Sequence, residues 1–170
     1  YTLNGAYGSG IVAKGTGILM NNEMDDFSQK PGYPNLYGLI GSEANKIEPR
    51  KSPLSSMSPV IVTKDNIPYL ITGSPGGSTI INSVFQEIIN ILDFEMSLEE
   101  SSNKNRIHYQ WQPDILFYED LKQDILKELE YDLTLRKRKL GEIQSILKTL
   151  EGYKGYSDSR RPDGKSIEIH

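Results

Sequence analysis

The sequence predicts an α+β fold in which sheets are covered by helices, and three observations carry that prediction. Val60-Ile61-Val62 and Tyr69-Leu70-Ile71-Thr72 flank Lys64-Asp65-Asn66, the pattern of a β-hairpin closed by a polar turn. Ile80, Ile81, Val84, Phe85, Ile88, Ile89 and Leu92 recur at helical spacing and give one broad apolar stripe. Residues 132–140 and 143–148 alternate about Gly141-Glu142 and read as a second hairpin.

The first hairpin's strands are apolar enough to be buried on both faces, so a further layer is expected to cover them. Gly76-Gly77 precede the long helix, and Ser78 suits its N-cap. A short helix fits Ser97 to Asn103, with Glu99 and Glu100 in its first turn where the helix dipole favours acids. Ile115 to Tyr118 reads as a strand, and Leu121, Ile125, Leu126 and Leu129 mark another helix. A last strand falls near Tyr153 to Ser157. Upstream of the hairpin the chain is rich in Gly, Asn, Ser and Pro. Gly8-Ser9-Gly10 and Gly15-Thr16-Gly17 punctuate the short apolar pieces Ile11-Val12-Ala13 and Ile18-Leu19-Met20.

The chain of 170 residues suits one domain, 1–170. Residues 28–53 form a long aperiodic stretch of the kind that serves as a lid, and the polar 161–170 reads as a frayed tail. Hydrophobic residues make up 36% and charged residues 25%, a globular balance. A net charge of −4 argues against a broad nucleic-acid surface. Arg136-Lys137-Arg138-Lys139 reads as a solvated basic stretch. With no cysteine, disulfides, thiol catalysis and Cys-based metal sites are excluded. No run is long and apolar enough for a membrane span, and no signal peptide is visible. Tyr1-Thr2-Leu3-Asn4 opens like the middle of a strand without an initiator Met, as expected of a processed or truncated product.

Four segments are more particular than connectors need to be. Asn21-Asn22-Glu23-Met24-Asp25-Asp26-Phe27 carries three acids directly after an apolar strand. Such acids either converge on one cation, an ammonium group or a metal, or line a polar turn. The adjacent hydroxyls of Pro53-Leu54-Ser55-Ser56-Met57-Ser58-Pro59 either donate to a carboxylate or phosphate or belong to a Ser-rich turn. Thr72-Gly73-Ser74-Pro75-Gly76-Gly77-Ser78 runs from a strand into the long helix. Its glycine amides can point at one spot with no Cβ in the way, which suits an anion or a transient oxyanion. A plain strand-to-helix turn is the other reading. Thr2 and Asn4 share one face of the opening strand, facing either solvent or a site. His108 reads as a structural histidine, and Tyr109 and Trp111 as packing groups.

Taken together these segments resemble γ-glutamyltransferases in order and spacing, and Thr2-Leu3-Asn4, Lys30-Pro31-Gly32 and Gln110-Trp111 add to the likeness. The resemblance implies an N-terminal nucleophile hydrolase fold, an αββα sandwich of which this chain is the C-terminal, small-subunit part. It also implies a precursor that cleaves itself and exposes a nucleophilic Thr, which in the family lies a short way before the position of Tyr1. Thr2 resembles the family's second Thr, which hydrogen-bonds the first. Glu23 and Asp26, helped by Asn4, are expected to bind the α-ammonium of a γ-glutamyl donor. Ser55 and Ser56 are expected to donate to its α-carboxylate, and the Gly76 and Gly77 amides to form the oxyanion hole. Tyr37 falls in the lid-like segment. The implied partners are the large subunit of the same precursor, glutathione or other γ-glutamyl compounds, and amino-acid or peptide acceptors. No cofactor and no metal are implied, and a periplasmic or extracellular location is expected. This fragment alone is expected to be inactive. A related cephalosporin or glutaryl-type acylase and a purely structural domain are the other readings. Ser55-Ser56 with Glu23 and Asp26 favours a glutamyl head group, because a dicarboxylate acyl pocket has no use for two acids.

Overall fold

The computed structural model describes residues 3–129 and 132–167. The chain divides into two compact units, Tyr1–Ser56 and Met57–His170, each described by itself.

The first unit is built from turns and single bridges. Val12 and Leu19 form an antiparallel bridge, with Ala13 N–H donating to Ile18 O at 2.9 Å and Met20 N–H to Ile11 O at 2.8 Å. The two apolar pieces are thus a short ribbon. Asn4 adopts φ 60°, a left-handed conformation that Asn tolerates, so the expected strand does not continue through it. Glu23–Asp26 forms one 3-10 turn and Glu43–Asn45 another. Ser28 bridges Lys46 and Pro34 bridges Ile40, which orders the 28–53 stretch without regular strands.

In the second unit β1 (Val60–Lys64) and β2 (Ile67–Gly73) form the expected hairpin. Its two turn residues, Asp65 and Asn66, both take positive φ, the backbone whose twist matches paired strands. The long helix is α1 (Thr79–Leu92) and the short one α2 (Leu98–Asn103), the latter started by a Ser97–Glu100 capping box. Then come β3 (Ile107–His108), β4 (Ile115–Tyr118), α3 (Gln123–Leu129), β5 (Thr134–Lys137), β6 (Gln144–Lys148) and β7 (Tyr153–Ser157). One sheet runs β1-β2-β6-β7 and the other β3-β4-β5. Among the described residues no helix is long and apolar enough to cross a membrane.

Three further sequence expectations are corrected. The second hairpin does not form: β5 pairs in parallel with β4, and β6 lies between β2 and β7. Gly141, at φ 66°, stands where the chain passes from one sheet to the other. Alternation specifies which face a strand buries and leaves its partner open. Ser78 occupies the N-cap position of α1, but its side chain makes no cap bond. Instead the Thr79 hydroxyl donates to Gly76 O at 2.8 Å. Trp111 is not a buried packing group: it is 71% exposed.

The larger sheet has one covered face. Leu70, Ile91 and Leu98 form its core, with Val62, Tyr69, Ile88, Leu147 and Tyr156 packed around them. On the other face Ile61, Ile71 and Ile146 stand abreast in three adjacent strands. Ile61 is 63% and Ile146 41% exposed, so this chain covers only one of the two faces. α1 likewise buries Ile80, Val84 and Ile91 and leaves Ile81 and Phe85 outward.

An ionic network ties the end of the chain to the middle of the second unit. Arg106 and Asp158, both buried, meet at 2.8 Å. Arg160 bonds Asp158 at 3.0 Å and also pairs with Glu119. Glu87, buried on α1, accepts from Ser101 at 2.7 Å and Ser102 at 2.9 Å. His108 is structural, held by Asn82 at 3.0 Å and Gln110 at 2.8 Å.

Candidate active site

The first unit gathers five of the expected residues. The Glu23–Asp26 turn carries its acids where the chain leaves the ribbon, and Asp26 is buried. The Ser56 hydroxyl donates to Asp26 Oδ2 at 2.9 Å. Tyr37 donates its phenol proton to Asn4 O at 2.6 Å. Burial raises the Tyr37 pKa above 10.0, and the charges of Asp26, Asp25 and Glu23 raise it further. The phenol therefore stands within the field of all three carboxylates. Ser55, next to Ser56, is exposed. Thr2 lies outside the described residues.

Residues that sequence reading left unassigned hold this group together. Asn45 donates through Nδ2 to Asp26 O at 2.7 Å and accepts from Leu54 N–H through Oδ1 at 3.1 Å. It thereby joins the acidic turn to the segment that leads into Ser55-Ser56. Asp25 accepts from Leu36 N–H at 3.1 Å, fastening the loop that presents Tyr37. Asn35 shapes that loop by accepting from Tyr37 N–H and Leu39 N–H, each at 3.0 Å. Asn22 Oδ1 accepts from Gly5 N–H at 2.7 Å beside Asn4. Asn and Asp are ordinary turn residues, and the sequence signal for these roles is no more than that.

Chemically, a buried carboxylate beside a hydroxyl donor suits a zwitterionic head group. The α-carbon of an amino acid carries its ammonium and carboxylate side by side, so their receptors must also be neighbours. An acid takes the cation and a hydroxyl takes the anion.

In the second unit the chain leaves β2 through Ser74-Pro75-Gly76-Gly77 and enters α1. Gly76 has φ 143° and Gly77 φ 58°, both unfavourable for a residue with a Cβ. Neither amide donates to another described residue. Two successive N–H groups with no acceptor among the described residues thus precede a helix of 14 residues, a setting that suits an anion.

The profile described as Gamma-glutamyltranspeptidase matches residues 1–167. The glutathione hydrolase proenzyme of Escherichia coli is 50% identical over 167 residues, covering 96% of this chain. Among solved structures, the γ-glutamyltranspeptidase of Pseudomonas nitroreducens complexed with L-DON superposes with a TM-score of 0.91 at 43% identity, covering 100% of this chain and 90% of that one. A mutant Helicobacter pylori γ-glutamyltranspeptidase gives 0.89 at 44%, covering 95% and 91%. The fold is therefore that of the N-terminal nucleophile hydrolases. This chain spans 29% of the length of the E. coli proenzyme. With a match over nearly its whole length and half its residues shared with such a relative, the chain belongs to the γ-glutamyltranspeptidase family.

Proposed function

We propose that this chain is the small-subunit portion of an enzyme that hydrolyses or transfers the γ-glutamyl group of glutathione and related γ-glutamyl amides. The observation that carries this reading is the Ser56–Asp26 hydrogen bond, which sets a hydroxyl donor beside a buried acid. In the proposed reaction Glu23 and Asp26 bind the donor's α-ammonium with help from Asn4, and Ser55 and Ser56 bind its α-carboxylate. Tyr37 covers the head group. A Thr upstream of Tyr1 in the precursor, assisted by Thr2, attacks the γ-carbonyl while its own α-amine takes the hydroxyl proton. The Gly76 and Gly77 amides stabilise the tetrahedral oxyanion. Collapse breaks the C–N bond, the amine leaves with a proton, and the glutamyl group remains as a Thr ester. Water or an acceptor amine then releases it.

The partner would be the large subunit of the same precursor. The bare Ile61–Ile71–Ile146 face supports this, since a second sheet would cover it in a two-sheet sandwich. So does the coverage: this chain accounts for 90% of the matched chain in the P. nitroreducens structure but 29% of the E. coli proenzyme.

The test is Asp26→Ala in the full-length protein, assayed with γ-glutamyl-p-nitroanilide. Loss of a charge-assisted contact of about 1.5–3 kcal/mol should raise the donor KM by about ten- to a hundredfold. Wild-type KM and kcat in the variant would overturn the assignment.

A further inference from the structure

Resting on the reading of Gly76–Gly77 as the oxyanion turn, we propose that Ser74 and Gly141 are positioning residues that set the direction of its two amides. A Gly-Gly turn has wide conformational freedom, so its amides stay aimed only if neighbours confine it. Those neighbours come from a segment more than sixty residues further along the chain.

Ser74 links the two. Its hydroxyl accepts from Glu142 N–H at 2.9 Å and donates to Pro75 O at 2.7 Å. Gly141 fills the space beneath the turn. A Cβ on Gly141 would lie 2.5 Å from Ser83 Oγ and 2.8 Å from Ser74 Oγ, so a side chain there would have to displace both hydroxyls. A Cβ built on Gly76 would lie 3.4 Å from Gly141 Cα, which shows how closely the two backbones approach. Its φ of 66° is a second reason for glycine at 141.

The supporting segment is itself held in place. Leu140 N–H donates to Glu119 at 2.9 Å, Leu140 O accepts from Arg106 at 2.9 Å, and Ile143 N–H donates to Asp158 at 2.9 Å. The network of buried charges thus reaches the glycine turn through Leu140–Ile143. Neither Ser74 nor Gly141 needs to touch substrate for this role.

The experiment measures γ-glutamyl-p-nitroanilide turnover by the full-length protein, counted per cleaved molecule. Ser74→Ala should lower kcat by about tenfold or more while donor KM stays within about twofold, the signature of an interaction felt in the transition state. Gly141→Ala should lower kcat further, and Ser74→Thr, which keeps the hydroxyl, should retain it. Unchanged kcat in both Ser74→Ala and Gly141→Ala, with Gly77→Ala impaired, would overturn the positioning role and leave the oxyanion reading standing. Unchanged kcat in Gly77→Ala would overturn that reading itself. If Ser74→Ala lost kcat, KM and thermal stability together, its role would be general folding and the proposal would fail.

Discussion

The Ser56 hydroxyl donates its proton to the Asp26 carboxylate at 2.9 Å, across thirty positions of sequence. The hydroxyl expected to hold a substrate carboxylate is thus engaged by the acid expected to hold the ammonium. On the proposed reading, an arriving ammonium would compete for Asp26 and release the Ser56 proton toward the adjacent carboxylate, so the two contacts would form together. The prediction is that Asp26→Asn, which keeps an acceptor for Ser56 but removes the charge, raises donor KM nearly as far as Asp26→Ala. Ser56→Ala should raise it less, by about tenfold, the worth of one hydrogen bond to a charged group. Equal KM values for Asp26→Asn and wild type in steady-state kinetics would contradict the account.

Tyr37 bonds Asn4 O at 2.6 Å. Burial first, and then Asp26, Asp25 and Glu23, hold its phenol above 10.0, so it stays a donor through neutral and mildly alkaline pH. Tyr37→Phe should remove about 0.5–1.5 kcal/mol of closure and raise KM by about two- to tenfold. The ratio of mutant to wild-type KM should be the same at pH 7 and pH 9. A ratio that collapses toward one at pH 9 would show that the wild-type phenol had ionised.

The buried network predicts the response to acid. Burial pushes Glu119 and Asp158 up, but hydrogen bonds and charges outweigh it. For Glu119 these come from Arg160 and from the Leu140 and Arg106 amides; for Asp158, from the Arg160 amide, the Arg106 side chain and the Ile143 amide. Both carboxyls end below their ordinary values of 4.5 and 3.8. Depressed folded values mean stability that is present above those ordinary values and lost as pH falls through the folded ones. Thermal melts should therefore fall steeply in acid. Asp158→Asn, which leaves Arg106 buried without its counter-charge, should cost about 3–5 kcal/mol at neutral pH. An unaltered melting temperature at pH 7 would count against the network.

Glu87 has the opposite sign. Burial raises it above 4.5 despite the Ser101, Ser102 and Ser145 hydroxyls and the Arg106 charge. A raised folded value means stability that is present below 4.5 and lost as pH rises through the folded value. Glu87→Gln should therefore gain in melting temperature relative to wild type as pH rises from about 4 to 8. A difference that stays flat or shrinks over that range would refute the sign.

The bare isoleucine face makes a prediction about assembly. Ile146 is 41% exposed and stands beside Ile71 and Ile61 in register. Ile146→Glu would place a charge in the covered layer of a two-sheet sandwich, where an unpaired charge is costly. On the proposed two-subunit reading, size-exclusion chromatography of the full-length variant should show no stable two-subunit species. Normal assembly would show that this face is not the contact.

Much of this protein was legible locally. The Asp65–Asn66 turn, the Ser97–Glu100 capping box and the α1 periodicity each depend on residues a few positions apart, and sequence displays such relationships directly. The acidic, hydroxyl and glycine segments were also visible, and with them the family. Tertiary structure decided what those segments meet. Alternation at 143–148 is compatible with any neighbour that leaves Ile143 and Ser145 buried, and only the assembled sheet selects β2 and β7. The Asn45 clamp, the Ser56–Asp26 bond and the Ser74–Glu142 link join residues 9 to 68 positions apart. Their side chains look like ordinary turn formers until the chain closes on itself. Sequence by itself sets backbone preference and which face is apolar, because those are energies of near neighbours. Which donor finds which acceptor is a property of the closed chain, since it depends on every turn in between.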